Sequence, residues 1–326
     1  MLLTWNCQAG RLLPFVDFPT GCVCEVRTPS FPARAPANSR FQASNSRLPA
    51  EPVHSYFSEF ENNPRSFQLY PHYPRPRTEI ERRALTGLIQ GKCSVCGKGT
   101  QFSGWTENFR ESGFCGDCGS TNRQRQIAFI LRRSLEIVEE DPWPPSLAIY
   151  NTEGTGSLHD QLCLTQGYQF SEYFGEGYEP SQMVNGIRHE DLQNLSFAQN
   201  RFDYVLSSDV LEHVPYPYQA HEEIWRVLRY RGRHLFTVPF YPYKYFDEIR
   251  SYLKEGQLVH NQTPQYHADP LRPEGLLAYT IFSLEMLLKV SAIGFLIHTY
   301  VLYEPQYGII GWNNLVFEAI KQELPF

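Results

Sequence analysis

The segment 202–239 constrains the fold more than any other part of the chain. It reads FDYVLSSDVLEHVPYPYQAHEEIWRVLRYRGRHLFTVP, and its apolar residues Ala220, Ile224, Val227 and Leu228 recur at helical spacing. The short apolar runs at either end, bounded by turn residues, predict two buried strands. A helix between two such strands is the crossover of a parallel sheet, so this segment predicts an α/β fold.

Strand and helix signals also alternate on both sides of that segment. The predicted strands are SLAIYN, YQFSEYF, IHTYVLY and NLVFEAI, and the predicted helices lie near 157–166 and over SLEMLLKVSA. An earlier helix is predicted from about 123 to 140, with an apolar face that includes Leu135 and Val138. The pattern predicts a doubly wound, mostly parallel α/β domain over residues 123–326.

The N-terminal segment 1–76 differs in composition from the rest. It holds eleven of the 24 prolines and shows no sustained periodicity, so we expect it to be disordered or loosely packed. Three isolated cysteines in it are interpreted as incidental: Cys7, Cys22 and Cys24. A short helix is then predicted within 78–90, closed by Gly91.

Membrane and export signals are weak. The most apolar stretch, 276–303, is interrupted by Glu285 and Lys289, so no membrane span is predicted. Arg11 and Asp17 interrupt the apolar residues of the N-terminus, which therefore does not resemble a secretory signal. We expect a cytoplasmic protein whose cysteines stay reduced.

Four cysteines form a pattern that predicts a metal site. Cys93 and Cys96 form one CxxC pair, and Cys115 and Cys118 form a second pair eighteen residues later. This spacing is typical of a four-thiolate zinc site, which is closed to water and therefore structural. Residues 77–122 are thus predicted to form a small zinc-ribbon-like module, because so short a segment has little core of its own.

The charge is uneven along the chain. The net charge is −6, yet residues 75–133 contain eleven Lys/Arg against five Asp/Glu. The basic residues of the helix predicted from about 123 to 140 are Arg123, Arg125, Arg132 and Arg133. They are interpreted first as a solvated helix face, and alternatively as a docking surface for an anionic substrate or RNA.

Three further motifs lie between the predicted strands. LAIYNTEGTGSLHDQL places Gly154 and Gly156 between a strand and a helix, Glu172 lies in YQFSEYF, and Asp191 opens the element DLQNLSF five residues before the strand at Phe202. Together with segment 202–239, these motifs resemble a class I S-adenosylmethionine (SAM) methyltransferase of the type 11 group over about 146–325. The resemblance implies a Rossmann-like methyltransferase fold and SAM as cofactor.

The resemblance also implies roles for individual residues. Gly154 and Gly156 would let the backbone approach the methionine moiety, and Glu172 would bind the ribose hydroxyls. Asp191 would accept a hydrogen bond from the adenine amine, while the backbone N–H of Leu192 donates to the ring.

The chain departs from the family pattern at two positions, and three further residues are implied to lie near the cofactor. Tyr150 stands at the family's acidic position and Thr152 at its first glycine. Glu153 could replace the missing carboxylate near the cofactor's amino group. Ser208 and Asp209 would form a wall next to the cofactor.

Two segments are candidates for the acceptor side. One is the aromatic run FYPYKYF at 240–246, which could line a pocket or pack in the core. The other is QYHADP, in which His267 is the candidate base and Asp269 orients it. A loop stabilised by a His–Asp hydrogen bond is the alternative. The YHADP wording also resembles a subset of bacterial type 11 proteins that begin with a CxxC module.

The function predicted from these motifs is methyl transfer from SAM to a small-molecule or glycan-type acceptor, with a structural zinc ion. Two alternatives stay open. An RNA methyltransferase would grip RNA with the zinc ribbon, an interpretation that the basic segment favours and the acidic remainder opposes. A methyltransferase-like scaffold without catalysis is compatible with Tyr150 and Thr152. The sequence leaves the acceptor atom and the oligomeric state open.

Overall fold

The computed structural model describes residues 56–61, 77–269, 272–312 and 314–323. A seven-stranded sheet forms its centre. The strands are β1 (Tyr56–Glu61), β2 (Ile149–Asn151), β3 (Tyr168–Phe170), β4 (Phe202–Ser208), β5 (Leu228–Thr237), β6 (Phe295–Tyr303) and β7 (Leu315–Lys321). The α-helices are α1 (Glu79–Thr86), α2 (Asn122–Ser134), α3 (Ser157–Leu162), α4 (Pro217–Val227) and α5 (Leu284–Ile293).

Short strands make up five smaller sheets. The cysteine module contains one three-stranded sheet, formed by Ile89–Lys92, Gly99–Ser103 and Phe114–Cys115. In a second three-stranded sheet, Thr280–Ser283 lies between Phe240–Tyr241 and Glu248–Ile249. The remaining three sheets are two-stranded and pair Met183–Val184 with Ile187–Arg188, Ser251–Lys254 with Gln257–His260, and Tyr266–Asp269 with Arg272–Leu277. Single 3₁₀ turns span Phe109–Glu111, Leu211–His213 and Pro305–Tyr307.

The main sheet has the order β1-β6-β7-β5-β4-β2-β3. Strands β3, β2, β4 and β5 are mutually parallel, as the crossover at 202–239 predicts. Strand β7 then enters antiparallel between β5 and β6, and β1 pairs antiparallel with β6 at the edge. The prediction of a mostly parallel sheet therefore holds for the half of the sheet formed by β5, β4, β2 and the edge strand β3. The whole sheet is mixed because the chain returns directly from β6 to β7, which forces an antiparallel pair.

Each face of the sheet is covered. On one face the apolar sides of α4 and α5 pack against β5 and β7, with Ile224 and Leu287 near Phe236 and Phe317. On the other face α2 packs over β4 and β5. The core of the cysteine module, which contains Phe102, is continuous with that second layer. The module is therefore not an independent domain, because its apolar residues complete the core under α2.

Helix α2 is shorter than its apolar periodicity predicts. Thr121 caps its start, with a reciprocal hydrogen-bond pair to Gln124 that satisfies two free backbone N–H groups. The helix ends at Ser134, and Glu136 adopts a left-handed backbone with φ of +56°. Val138, predicted to lie on the buried face, is 56% exposed. The prediction of a helix to residue 140 was wrong because the turn after Ser134 breaks the period.

The basic residues of α2 do not form one surface. Arg125 is fully buried, donates to the backbone oxygens of Ser120 and Gly308 (2.9 Å for Gly308), and lies 4.3 Å from the centre of the Phe102 ring. Arg132 is also buried and donates to two or more backbone oxygens. A solvated face or an RNA-docking surface built from all four arginines was therefore wrong, since two of them hold the fold together.

Other boundaries shift by a few residues. Helix α3 ends at Leu162 rather than near 166, and β3 ends at Phe170, two residues before Glu172. Within 1–76, the structure adds strand β1, which the sequence did not predict. The isolated cysteines Cys7, Cys22 and Cys24 lie outside the described residues. Across the described part of the chain, every helix is too short or too polar to cross a bilayer.

Replacing Arg125 should test the internal role of α2. Arg125→Ala should lower the free energy of unfolding by about 3 kcal/mol, because two buried carbonyl groups lose their charged donor and the Phe102 ring loses its neighbour. Urea unfolding followed by circular dichroism measures the change. The control Arg133→Ala, at an exposed position of the same helix, should cost about 0.5 kcal/mol or less. Equal losses in the two variants would contradict a structural role for Arg125.

Candidate active site

The glycine turn follows strand β2 and is held from two sides. The backbone N–H of Gly154 donates to Glu172 Oε1 at 2.7 Å, which ties the turn to the chain beyond β3. Gly156 has a φ of +89°, and a Cβ there would lie 2.3 Å from Gln124 Nε2 of helix α2. Glycine is favoured at this position because the positive φ is a backbone conformation that other residues rarely adopt, while the Gln124 side chain could move away from an added Cβ. The predicted strand–turn–helix is confirmed in its geometry.

The position of the family's acidic residue is part of the core. The Tyr150 hydroxyl lies 2.7 Å from Ser171 Oγ, and its ring packs against Phe197 and Phe202. Burial raises the pKa of Tyr150, so the phenol stays neutral. Two residues further on, the Thr152 hydroxyl is buried and has no hydrogen-bond partner among the described residues. That hydroxyl, in the same turn as Gly154, is the kind of donor and acceptor that a polar cofactor would satisfy.

Asp191 and Leu192 lie in the turn before β4. Asp191 Oδ1 accepts from the backbone N–H of Gln193 at 2.9 Å, and its backbone bridges to Asn194. This is the local hydrogen bonding of a turn aspartate. The Leu192 side chain is buried in the core below α4. The structure thus places Asp191 at the predicted position relative to β4, with its carboxylate turned toward Gln193.

Two arginines converge on the end of β4, and neither was predicted to belong to the site. Arg110, in the 3₁₀ turn of the cysteine module, donates through both terminal nitrogens to Asp209, with 2.7 Å from Nη2 to Oδ1. Arg123, in the first turn of α2, donates to Glu111 at 2.8 Å and to the backbone oxygen of Ser208 at 2.9 Å. No sequence motif points to Arg110, because its partner is 99 residues away.

The arginines set the protonation of the two nearest carboxyl groups. Burial alone would raise the pKa of Asp209, but the Arg110 and Arg123 guanidinium groups outweigh it and lower that pKa below its ordinary value. Glu153 lies 3.6 Å from Arg123, and burial raises its pKa to about 7 in spite of the arginine. The cluster therefore offers fixed cations, one fixed anion and one carboxyl group that titrates near neutral pH.

Such a cluster suits a zwitterion. The Arg110 and Arg123 guanidinium groups match a carboxylate, and Glu153 and Asp209 match an ammonium group. The amino-acid end of SAM carries both charges. The predicted residues Glu153, Ser208 and Asp209 are brought together here through Arg123.

On the acceptor side, His267 lies in the hairpin of strands 266–269 and 272–277. Its Nδ1 is 3.6 Å from Glu212 Oε1, and its ring stands edge-on to His213 with 4.9 Å between centroids. The neighbouring Glu212 carboxylate raises the pKa of His267. The backbone of Asp269 ends the first strand, but its side chain lies outside the described residues. Glu212, which the sequence analysis did not single out, is thus the acidic neighbour that the structure gives to His267.

The aromatic run 240–246 divides between core and surface. Phe240 is buried against Phe317, whereas Tyr243, Tyr245 and Phe246 are exposed. Packing in the core is therefore confirmed for Phe240, and the lining of an acceptor pocket stays a prediction for the exposed residues.

The four cysteines of the two CxxC pairs come together. Their sulfur atoms all lie within 4.8 Å of one another, with 3.8 Å from Cys93 to Cys118 and 4.0 Å from Cys96 to Cys115. A zinc ion with bonds of about 2.3 Å in a tetrahedron requires sulfurs about 3.8 Å apart. Each pair is followed by a glycine with a positive φ, Gly97 and Gly119, whose N–H bonds the first cysteine's carbonyl oxygen. The donor set therefore fits zinc.

Comparison with known proteins supports the fold. The type 11 family model described as "Methyltransferase domain" matches residues 118–236, a segment that contains the glycine turn, Glu172, Asp191 and Asp209. With the sheet order and the glycine turn, this match supports a SAM-dependent methyltransferase with a Rossmann-like fold, as the sequence predicts. No curated protein matches the chain.

Solved structures show more distant likeness. A Burkholderia thailandensis 1,6-didemethyltoxoflavin-N1-methyltransferase with bound S-adenosylhomocysteine is 18% identical, over 62% of this chain and 79% of that one, with a TM-score of 0.35. The Haloferax volcanii complex of the Trm112 methyltransferase activator and a putative methyltransferase is 14% identical, over 63% of this chain and 92% of that one, with a TM-score of 0.39. A Haemonchus contortus phosphoethanolamine N-methyltransferase is 14% identical, over 61% of this chain and 52% of that one, with a TM-score of 0.35.

The raised pKa of Glu153 predicts a pH-dependent stability. The folded protein holds this proton up to about pH 7, whereas the unfolded chain releases it near 4.5. Stability should therefore fall as the pH rises from about 5 to about 7.5, by up to about 2 kcal/mol because the side chain is 29% exposed. Urea unfolding of the wild type and Glu153→Gln at both pH values measures it, and the variant should lose this part of the fall. The same pH dependence in Glu153→Gln as in the exposed control Glu222→Gln would contradict the assignment.

Proposed function

We propose that this methyltransferase binds SAM at the C-terminal edge of β2, β3 and β4 and methylates a small-molecule or glycan-type acceptor. The observation that carries the proposal is the cluster of Arg110, Arg123, Glu153 and Asp209 beside the glycine turn. In an open α/β sheet, ligands bind in the crevice at the carboxyl ends of the strands, where these groups lie.

Each part of the cofactor would meet a complementary group. The amino-acid end would lie between the arginines and Glu153, close to the orphaned Thr152 hydroxyl. Glu172, which already holds the glycine turn, would take the ribose hydroxyls with its carboxylate. Asp191 would turn from Gln193 to the adenine amine, with the Leu192 backbone N–H donating to the ring.

When bound, SAM supplies a methyl group that is already activated on a sulfonium ion. The protein's task is then to align an acceptor in line with the breaking bond and to exclude water. His267 would take a proton from an acceptor that must lose one, oriented by the neighbouring Glu212 and, as the sequence predicts, by Asp269. The exposed aromatic residues of 240–246 would contact the acceptor.

The four cysteines would bind one structural zinc ion. Its role would be to fix the loop from Phe109 to Glu111, because that turn follows the ribbon strand 99–103 and carries Arg110 into the site. A closed thiolate site has no free position for a substrate. Zinc would thus act on the cofactor site through the fold alone.

RNA is the less favoured acceptor. Arg125 and Arg132 are buried, and Arg110 and Arg123 lie in the crevice at the end of β4 with side chains only 18% and 19% exposed. Few cations of the basic segment are therefore left to neutralise phosphates. The scaffold alternative rests on Tyr150 and Thr152 and is decided by the titration below.

Calorimetric titration of zinc-loaded protein with SAM and S-adenosylhomocysteine tests the proposal. We expect binding in the micromolar range, weakened at least about tenfold by Asp191→Ala and by Glu172→Gln, because each removes a charged acceptor of a ligand hydrogen bond. The control Glu222→Gln changes an exposed carboxylate on α4 and should bind as the wild type does. No binding by well-folded protein would favour the scaffold, and wild-type binding by both site variants would contradict the assigned residues.

A further inference from the structure

Within the described part of the chain, the side chain of Glu212 is buried without a hydrogen-bond partner. The residue is fully buried in the 3₁₀ turn after β4, and no donor among the described residues is within hydrogen-bond distance of either carboxylate oxygen. The nearest cationic or coordinating atoms are His267 Nδ1 at 3.6 Å and His213 Nε2 at 3.7 Å. A buried carboxylate that lacks partners is costly, and either a proton or a bound cation would relieve that cost.

The three side chains face a common point. One ligand atom from each of Glu212, His213 and His267 lies within 4.8 Å of the others. Bonds of about 2.0–2.2 Å to a metal ion would require these atoms to approach by roughly 1 Å. His267 is on a hairpin strand whose ladder is interrupted by a register shift between His267 and Asp269. The hairpin can therefore supply that movement with little disturbance of the core.

In each histidine, the ring nitrogen that faces away from Glu212 contacts a polar group. His213 Nδ1 is 2.8 Å from the backbone oxygen of Leu277, to which it donates, so Nε2 carries the lone pair that faces Glu212. This is how metal-binding histidines are usually oriented. The side-chain amide nitrogen of Gln265 lies 3.2 Å from His267 Nε2. A rotation of that amide by 180°, which exchanges its nitrogen and oxygen, would let Nε2–H donate to the oxygen and leave Nδ1 free to coordinate.

We propose that Glu212, His213 and His267 bind a divalent first-row transition-metal ion, at a site separate from the four cysteines. Two imidazoles and one carboxylate form a ligand set for such ions, whereas thiolates select zinc. Asp209 is not a ligand, because Arg110 and Thr237 already occupy its oxygens. Three protein ligands leave coordination positions open, which is the arrangement of a catalytic rather than a structural metal.

The location indicates what the metal would do, a step that rests on the proposed function. Glu212 follows Asp209 by three residues, so the metal would lie next to the proposed cofactor site on the side of His267. With the metal bound, His267 would act as a ligand and no longer as the base, because a divalent cation itself lowers the pKa of a coordinated hydroxyl. The acceptor would therefore be a hydroxyl group: its O–H proton passes to water, the oxygen forms a bond to the methyl carbon, and the C–S electron pair stays on the sulfur of S-adenosylhomocysteine.

Mn²⁺ is the probe that separates this site from the cysteines. Full-length, zinc-loaded protein is titrated with Mn²⁺, and free Mn²⁺ is followed by its electron paramagnetic resonance signal. We expect one Mn²⁺ per chain in addition to the zinc. Affinity should fall at least about tenfold in Glu212→Gln, His213→Ala and His267→Ala, since each removes one of three ligands.

Matched controls make the result specific. His260→Ala changes an exposed histidine of the neighbouring hairpin, Glu222→Gln an exposed glutamate, and both should bind Mn²⁺ as the wild type does. Far-UV circular dichroism and zinc content check the fold of each variant, and His267→Ala, at a partly exposed position, should fold even if Glu212→Gln does not. Absent Mn²⁺ binding, or binding that survives both His267→Ala and Glu212→Gln, would overturn the site. The first result would leave Glu212 and His267 as an ion pair.

Catechol tests the acceptor class. Bound Mn²⁺ with open coordination positions enhances the relaxation rate of water protons. The two hydroxyl groups of catechol, by displacing coordinated water, should lower that enhancement. An unchanged enhancement would overturn the hydroxyl assignment. These readouts need neither SAM nor turnover, so a failed SAM titration and a failed metal site are distinguishable.

Discussion

The contact between Arg110 and Asp209 is the interaction on which the site depends. It joins a turn of the cysteine module to the end of β4, and both side chains are about four-fifths shielded from water. A bidentate pair in such surroundings has one geometry, and removing either partner would leave an uncompensated buried charge. Arg123 adds a second cation beside the same carboxylate. The arginines thereby keep Asp209 ionised and give the crevice its positive wall.

That contact explains why the cysteine module is part of the enzyme. Its Phe102 packs in the same core as helix α2 and strands β4 and β5, and Arg125 links the module to Gly308 near the C-terminus. Because of these contacts, the module cannot move independently of the sheet to bind a macromolecule. Its zinc would stabilise one wall of the crevice, and the proposed second metal would act on the opposite, acceptor side, through Glu212 and His267.

The sequence predicted the elements that have a local hydrophobic period or a characteristic residue spacing. Segment 202–239 predicted β4, α4 and β5, the CxxC spacing predicted the sulfur cluster, and the motif order placed the glycine turn and Asp191. It missed what depends on distant partners. The burial of Arg125, the pair of Arg110 with Asp209 and the entry of β7 between β5 and β6 are set by tertiary packing, which leaves no periodic trace. Glu212 was overlooked because an acidic residue in a turn is usually solvated, and only the fold buries it.

A double-mutant cycle on S-adenosylhomocysteine affinity tests the central claim most directly, with Arg110→Met, Asp209→Asn and the double variant measured by calorimetry. If the pair organises the cofactor site, each single change should weaken binding at least about tenfold, and the double variant should bind no more weakly than either, because the unpaired charge is then gone. Unchanged affinity in the single variants, or losses that simply add in the double variant, would contradict the account.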